Sequence, residues 1–175
     1  MLLYILLGLA VLIAGILIVA SMKPDTVHYE RSTVINAPPE RILPHIVDFH
    51  KWQPWSPWEK LDPIMKRDYL GAAQGVGAKY AWSGNNKAGE GTMEILEAST
   101  NGVKIDLRFV RPFKNACITH FQFTPQGPAT TVRWTMDGPN LFMGKLMGLF
   151  ISMDKMIGKD FDSGLAGLKT QAEKH

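Results

Sequence analysis

An α+β fold carried behind one membrane-spanning helix is what the sequence predicts, on three observations. No Asp, Glu, Lys, Arg or His occurs between Met1 and Met22. From Thr26 to Met136, short segments rich in β-branched and alternating residues are divided by Gly, Pro and Asn turn signals, with one helical pattern after the first of them. From Leu146 to Ala172, apolar residues return every three or four positions, the spacing of a single helix face.

The chain has 175 residues, 46% hydrophobic and 20% charged, which suits one packed domain and excludes disorder or a fibrous repeat. Its net charge of +3 is a small excess with no basic block, so no nucleic-acid partner is implied. Cys117 is the only cysteine, which excludes an internal disulfide and an all-cysteine metal site.

Residues 1–22 read as a transmembrane anchor and 23–175 as a soluble domain. A run of about twenty residues at 1.5 Å each spans roughly the 30 Å hydrocarbon core of a bilayer, and Leu2 to Ala20 is such a run. The rival is a cleavable signal peptide, whose small-residue positions Val19-Ala20-Ser21 would satisfy. Against it, the start carries only the terminal amine, and the apolar stretch exceeds the about 7 to 15 residues usual in secretory peptides. A buried core helix would carry a polar stripe, whereas this one has only Tyr4, Ser21 and small glycines. Lys23 and Arg31 follow the segment and no basic side chain precedes it, so the positive-inside rule gives a single-pass protein with its domain in the cytoplasm.

Thr26 to Ile35 is a first strand, ended by Asn36-Ala37-Pro38-Pro39. Pro39 suits the first turn of a helix whose apolar stripe is Ile42, Leu43, Ile46 and Val47, and Pro44 within it predicts a kink or an irregular turn. Asp48 to Pro63 has no period and reads as a loop, unusually apolar because it holds Trp52, Trp55 and Trp58, which either fold back on the core or face a ligand or bilayer. A meander follows, with strands at Ile64 to Leu70, Ala78 to Ser83, Gly91 to Ala98, Val103 to Val110, Ala116 to Thr124 and Thr130 to Met136. Asn140 is a candidate cap for a helical stretch that runs, with a possible break, to the C-terminus. Laying that helix across a curved antiparallel sheet buries both apolar faces.

Several stretches carry a family resemblance in combination: INAPPE at Ile35 to Glu40, WSPW at Trp55 to Trp58, VGAKYAW at Val76 to Trp82, GEGTMEI at Gly89 to Ile95, TTVRW at Thr130 to Trp134 and GKDFDSGLAGLK at Gly158 to Lys169. Over about Thr26 to Glu173 the chain resembles the START-like (SRPBCC) superfamily, in its polyketide cyclase/dehydrase and lipid transport branch. The resemblance implies the helix-grip fold, a curved sheet wrapped around a long C-terminal helix, with a deep apolar cavity between them for lipids, polyketides or other hydrophobic molecules. It implies no single reaction. Pro44 and the N-terminal segment depart from the usual pattern. The residues expected to line the cavity are Trp55, Trp58, Tyr80, Trp82, Leu107, Phe109, Phe121, Trp134, Met153, Ile157 and Phe161.

No metal motif or cofactor is implied: His28, His45, His50, His120 and His175 form no recognised ligand spacing. A cyclase or dehydratase needs an acid or base facing the cavity. With Val103, Ile105, Leu107 and Phe109 turned inward, Asp106 and Arg108 face water. On the next strand Phe121 and Phe123 favour an inward Cys117 and Thr119, with His120 outward; the opposite phase would bury His120. With Thr130 the remaining inner polar group, the favoured phase leaves poor general bases, and binding is favoured over catalysis. Met136, Met143, Met147, Met153 and Met156 suit either an adaptable apolar site or ordinary core filling, and glycines from Gly144 to Gly167 suggest a movable lid. Three readings follow: a membrane-tethered module that binds a hydrophobic small molecule or lipid; a cyclase-like enzyme using His120 or Asp106; and an interaction module that meets a membrane complex through Trp52 to Trp58.

Overall fold

The computed structural model describes residues 1–174, so His175 lies outside the described residues. Helix α1 runs Leu2–Ser21 and is long and apolar enough to cross a membrane. Lys23 to Asp25 lead directly into β1 (Thr26–Ile35), and α2 (Pro39–Val47) follows. The remaining strands are β2 (Lys66–Gly71), β3 (Ala78–Ser83), β4 (Glu90–Ser99), β5 (Gly102–Arg111), β6 (Asn115–Gln126) and β7 (Ala129–Pro139). A short α3 (Phe142–Met147) and the long α4 (Met153–Ala172) complete the chain.

All neighbouring strands are antiparallel, and their order is β1-β7-β6-β5-β4-β3-β2. The meander from β2 to β7 follows sequence order because tight turns join its strands. β1 then pairs with β7, from Thr26 opposite Pro139 to Ile35 opposite Thr130. Helix α4 lies mainly along β1 and reaches β7 and α2. This is the helix-grip arrangement, α+β in class.

Local chemistry explains most boundaries, with differences from the sequence reading at the start of β2 and at Asn140. Pro44 sits inside α2 without breaking it; in a nine-residue helix the loss is one hydrogen bond to the Glu40 carbonyl, and buried Ile42, Ile46 and Val47 hold the helix on the core. Strand β2 begins at Lys66 rather than Ile64, because the Asp62 carboxylate turns the chain back by accepting from the Ile64 amide at 3.2 Å. Asn140 caps no helix: its side chain donates to the Pro24 carbonyl at 2.9 Å. The expected break is real, and α4 is capped by Ser152, whose hydroxyl accepts from the Lys155 amide.

Three glycines set how closely α4 approaches its neighbours. A β-carbon at Gly158 would meet the Arg31 guanidinium, one at Gly164 would lie 2.7 Å from the Trp134 ring, and one at Gly167 would lie 2.8 Å from the Trp55 carbonyl. In α4 the helix-weakening glycines therefore serve close packing.

Candidate functional site

The inner face of the sheet and the loop after α2 meet α4 in a continuous aromatic cluster. Trp52 donates its indole N–H to the Ile46 carbonyl at 2.9 Å, and Trp55 donates to that of His45 at 3.0 Å. Both rings are thus tied to the end of α2 and turned into the core, where they are 3% and 1% exposed. Trp55 stands edge-on to Phe121 and Trp134, and Trp134 lies face to face with Phe161 of α4 at 4.3 Å. The Trp134 indole donates to Thr119 Oγ1 at 2.7 Å, and that hydroxyl donates to the Thr135 carbonyl at 2.8 Å. Thr130 donates to the Ala37 carbonyl, so the inner hydroxyls are spent on structure.

The eleven expected lining residues therefore divide by burial. Trp55, Tyr80, Phe121, Trp134 and Phe161 are buried and mutually packed or continuous with that cluster, so rings fill the centre of the expected cavity. Trp58, Trp82, Leu107, Phe109, Met153 and Ile157 are half-buried. Their placement follows a gradient. Along β5, Val103 and Ile105 are sealed while Leu107 and Phe109 are partly open. Along one face of α4, Phe161 is sealed while Ile157 and Met153, one and two turns earlier, are partly open.

Both gradients open at the same end of the fold. Lys169 and Glu173 of α4 bond near Val34 and Asn36 at the finish of β1, whereas Asp154 bonds Arg31 further back. The open end of α4 thus points toward Thr26, which pairs with Pro139. The open end of β5 is the end at which Phe109 pairs with Asn115. Asn115 in turn donates to the Pro139 carbonyl. The half-buried apolar residues of both elements consequently lie toward the end of the domain where α1 enters and α3 lies. There Trp82 meets Phe109 edge-on at 6.0 Å, with the Trp82 indole held by the Ala88 carbonyl. Gly91 is required beside it, since a β-carbon there would lie 2.4 Å from the Trp82 ring.

A buried ion pair joins the loop after α2 to the sheet. Glu59 follows Trp58, and its side chain is 6% exposed. It accepts from the Tyr80 hydroxyl at 2.5 Å and from Arg67 Nε at 2.8 Å. Burial, reinforced by the adjacent carboxylate, pushes the Tyr80 phenol well above its ordinary range, so this group is a fixed donor. Asp62 accepts from the Asn85 amide at 2.8 Å and ties the same loop to the β3–β4 turn. The sequence reading passed over Glu59 and Arg67: an aperiodic loop gives no signal that one of its carboxylates is buried.

His120 and Asp106 take the outward phase, His120 opposite Lys104 and Asp106 bonded to Arg108 at 2.7 Å. Two depressions lie elsewhere, one of about 180 Å³ beside Phe49, His50 and Tyr69 and one of about 320 Å³ bordered by Thr92, Asp106 and Arg108 with Tyr80, and neither is lined by the six half-buried residues. Among the described residues no group of three or more His, Cys, Asp or Glu side chains is placed to hold a metal ion.

The family model described as polyketide cyclase/dehydrase and lipid transport matches residues 26–173. The chain belongs to that family. Its fold is shared by the Chromobacterium violaceum protein CV1439, at 18% identity and a TM-score of 0.59 over 87% of this chain and 100% of that one. TTHA0849 of Thermus thermophilus is similar at 18% identity and a TM-score of 0.59, covering 83% of this chain and 97% of that one. The Aha1 dimer of Colwellia psychrerythraea follows at 19% and 0.55, covering 84% and 96%. At such identities the likeness establishes the fold. No curated protein matches the chain significantly.

Proposed function

We propose that this family member is a membrane-tethered binding module that takes a hydrophobic small molecule or lipid into an apolar groove lined by Trp58, Trp82, Leu107, Phe109, Met153 and Ile157. The observation that carries the reading is the shared direction of the two burial gradients: the apolar faces of β5 and α4 both open toward the end at which α1 enters. A molecule leaving a bilayer spanned by α1 would meet the groove without crossing water. The inner polar groups, Cys117, Thr119 and Thr130, are buried and suit walls rather than acid–base chemistry.

Native mass spectrometry of the full chain released from membranes in mild detergent, with organic extraction of any adduct, tests the reading. An apolar adduct is expected on the parent protein and is expected to be lost in Leu107→Lys and Ile157→Lys. Protein that is uniformly empty, or an adduct indifferent to both substitutions, would remove it.

A further inference from the structure

Eleven residues follow Asn140 before the cap of α4, LFMGKLMGLFI from Leu141 to Ile151. Leu141, Phe142, Met143, Phe150 and Ile151 are exposed, Phe150 to 72%, an unusual concentration for a water-facing connection. The one charge among them, Lys145, is turned away: its ammonium reaches Asp25 at 2.5 Å and its side chain is 10% exposed. The segment therefore offers an apolar surface with no free charge.

Its position relative to α1 is fixed. The Asn140 amide donates to the Asp25 carbonyl at 2.7 Å and its side chain to that of Pro24 at 2.9 Å. Helix α1 packs against α3. On α1, Ile16 is half-buried and Ala20 fully buried, one turn apart on one face, while the rest of the helix is exposed. Ile16 stands about 7 Å inside the Ser21 end of the helix at 1.5 Å per residue. Amphipathic elements lying at a membrane surface bury their apolar faces to about 5–10 Å. A segment packed on that stretch of a spanning helix shares its depth.

Resting on the membrane-anchored reading above, we propose that Leu141 to Ile151 docks into the headgroup–acyl boundary of the bilayer that α1 crosses, with Phe142 and Phe150 as its deepest side chains. The domain then has a set orientation, groove end toward the lipid, in place of free rotation on a tether. The occupant is lipid because the surface is continuous with the span, reaches the depth of its last turns, and has had its single charge neutralised.

The test is spin-label accessibility in full-length protein reconstituted into phosphatidylcholine–phosphatidylglycerol vesicles. Labels go on Phe142→Cys and Phe150→Cys, with Leu9→Cys as the mid-span reference and Glu97→Cys as the aqueous one; Cys117 is buried, and the parent chain labelled in parallel is the blank. Oxygen collisions are expected to exceed those of a water-soluble nickel chelate several-fold at Phe142 and Phe150, between the values at Leu9 and Glu97. Labels that match Glu97 while Leu9 reads as lipid would overturn the docking and leave the anchor standing. Labels shielded from both reagents would overturn it in favour of a second copy of this chain covering the segment. An aqueous Leu9 would remove the anchor and the docking together.

Discussion

Trp134 of β7 and Phe161 of α4 lie face to face, their centroids 4.3 Å apart and their planes 4° from parallel. Both are sealed, and Trp58 stands edge-on to each of them. This contact joins helix, sheet and loop. Phe161→Ala is expected to destabilise the domain by about 3–5 kcal/mol, the usual range for deleting a buried ring. Urea unfolding of the two proteins measures it.

Gly164→Ala raises helix propensity by about 1 kcal/mol in an exposed setting. Here the new methyl would sit 2.7 Å from the Trp134 ring and 3.2 Å from Pro57. Overpacking is expected to win, with a net loss of about 1–3 kcal/mol. Thermal unfolding decides the sign, and a stabilised variant would mean that α4 is free to move off the sheet.

Glu59→Gln leaves the Arg67 guanidinium short of its charged partner, and breaking a buried pair typically costs about 3–5 kcal/mol. Replacing Glu59 and Arg67 together by methionine is expected to be milder than either single change, since no charge is stranded. A double-mutant cycle by denaturant unfolding measures the coupling.

His28 faces Asp137 across β1 and β7, at 2.6 Å from Nδ1 to the carboxylate. That hydrogen bond holds the imidazolium above the ordinary value of 6.5. Because the folded pKa is the higher one, the pair's contribution is complete below about pH 6.5 and fades as pH rises through the elevated folded value. An NMR titration of His28 is expected to show the raised midpoint and Asp137→Asn to return it toward normal.

The proposed span has its own check. Full-length protein is expected to remain in the membrane pellet through carbonate washing and to leave only in detergent. Uncleaved soluble protein would contradict that, and a soluble product beginning near Met22 would identify a signal peptide instead.

Some of this architecture is legible in the residues because it follows from short periods. The alternation of Val103, Ile105, Leu107 and Phe109 sets the inner face of β5, and the Phe121/Phe123 pair sets the phase of β6, which places Thr119 inside and His120 outside. The spacing of Met153, Ile157 and Phe161 likewise marks one face of α4. Glu59 is different. Its burial depends on Arg67 and Tyr80, which only the folded sheet brings to it. Asn140 has the side chain of a helix cap, and nothing local reveals that Pro24 will claim it. The graded burial along β5 and α4 was equally hidden, because it depends on how α4 lies along β1.

The pairing of β1 with β7 sets a timetable for synthesis. Thr26–Ile35 emerges early, yet its partner, Ala129–Pro139, is translated roughly a hundred residues later. At about 5–20 residues per second, β1 waits on the order of 5–20 s with an open edge while the meander assembles beyond it. Helix α4, which covers β1, is made later still, after β7 and α3. Loss of α4 therefore uncovers the oldest strand of the sheet, and chaperone capture of stalled nascent chains is expected to persist until α4 has emerged.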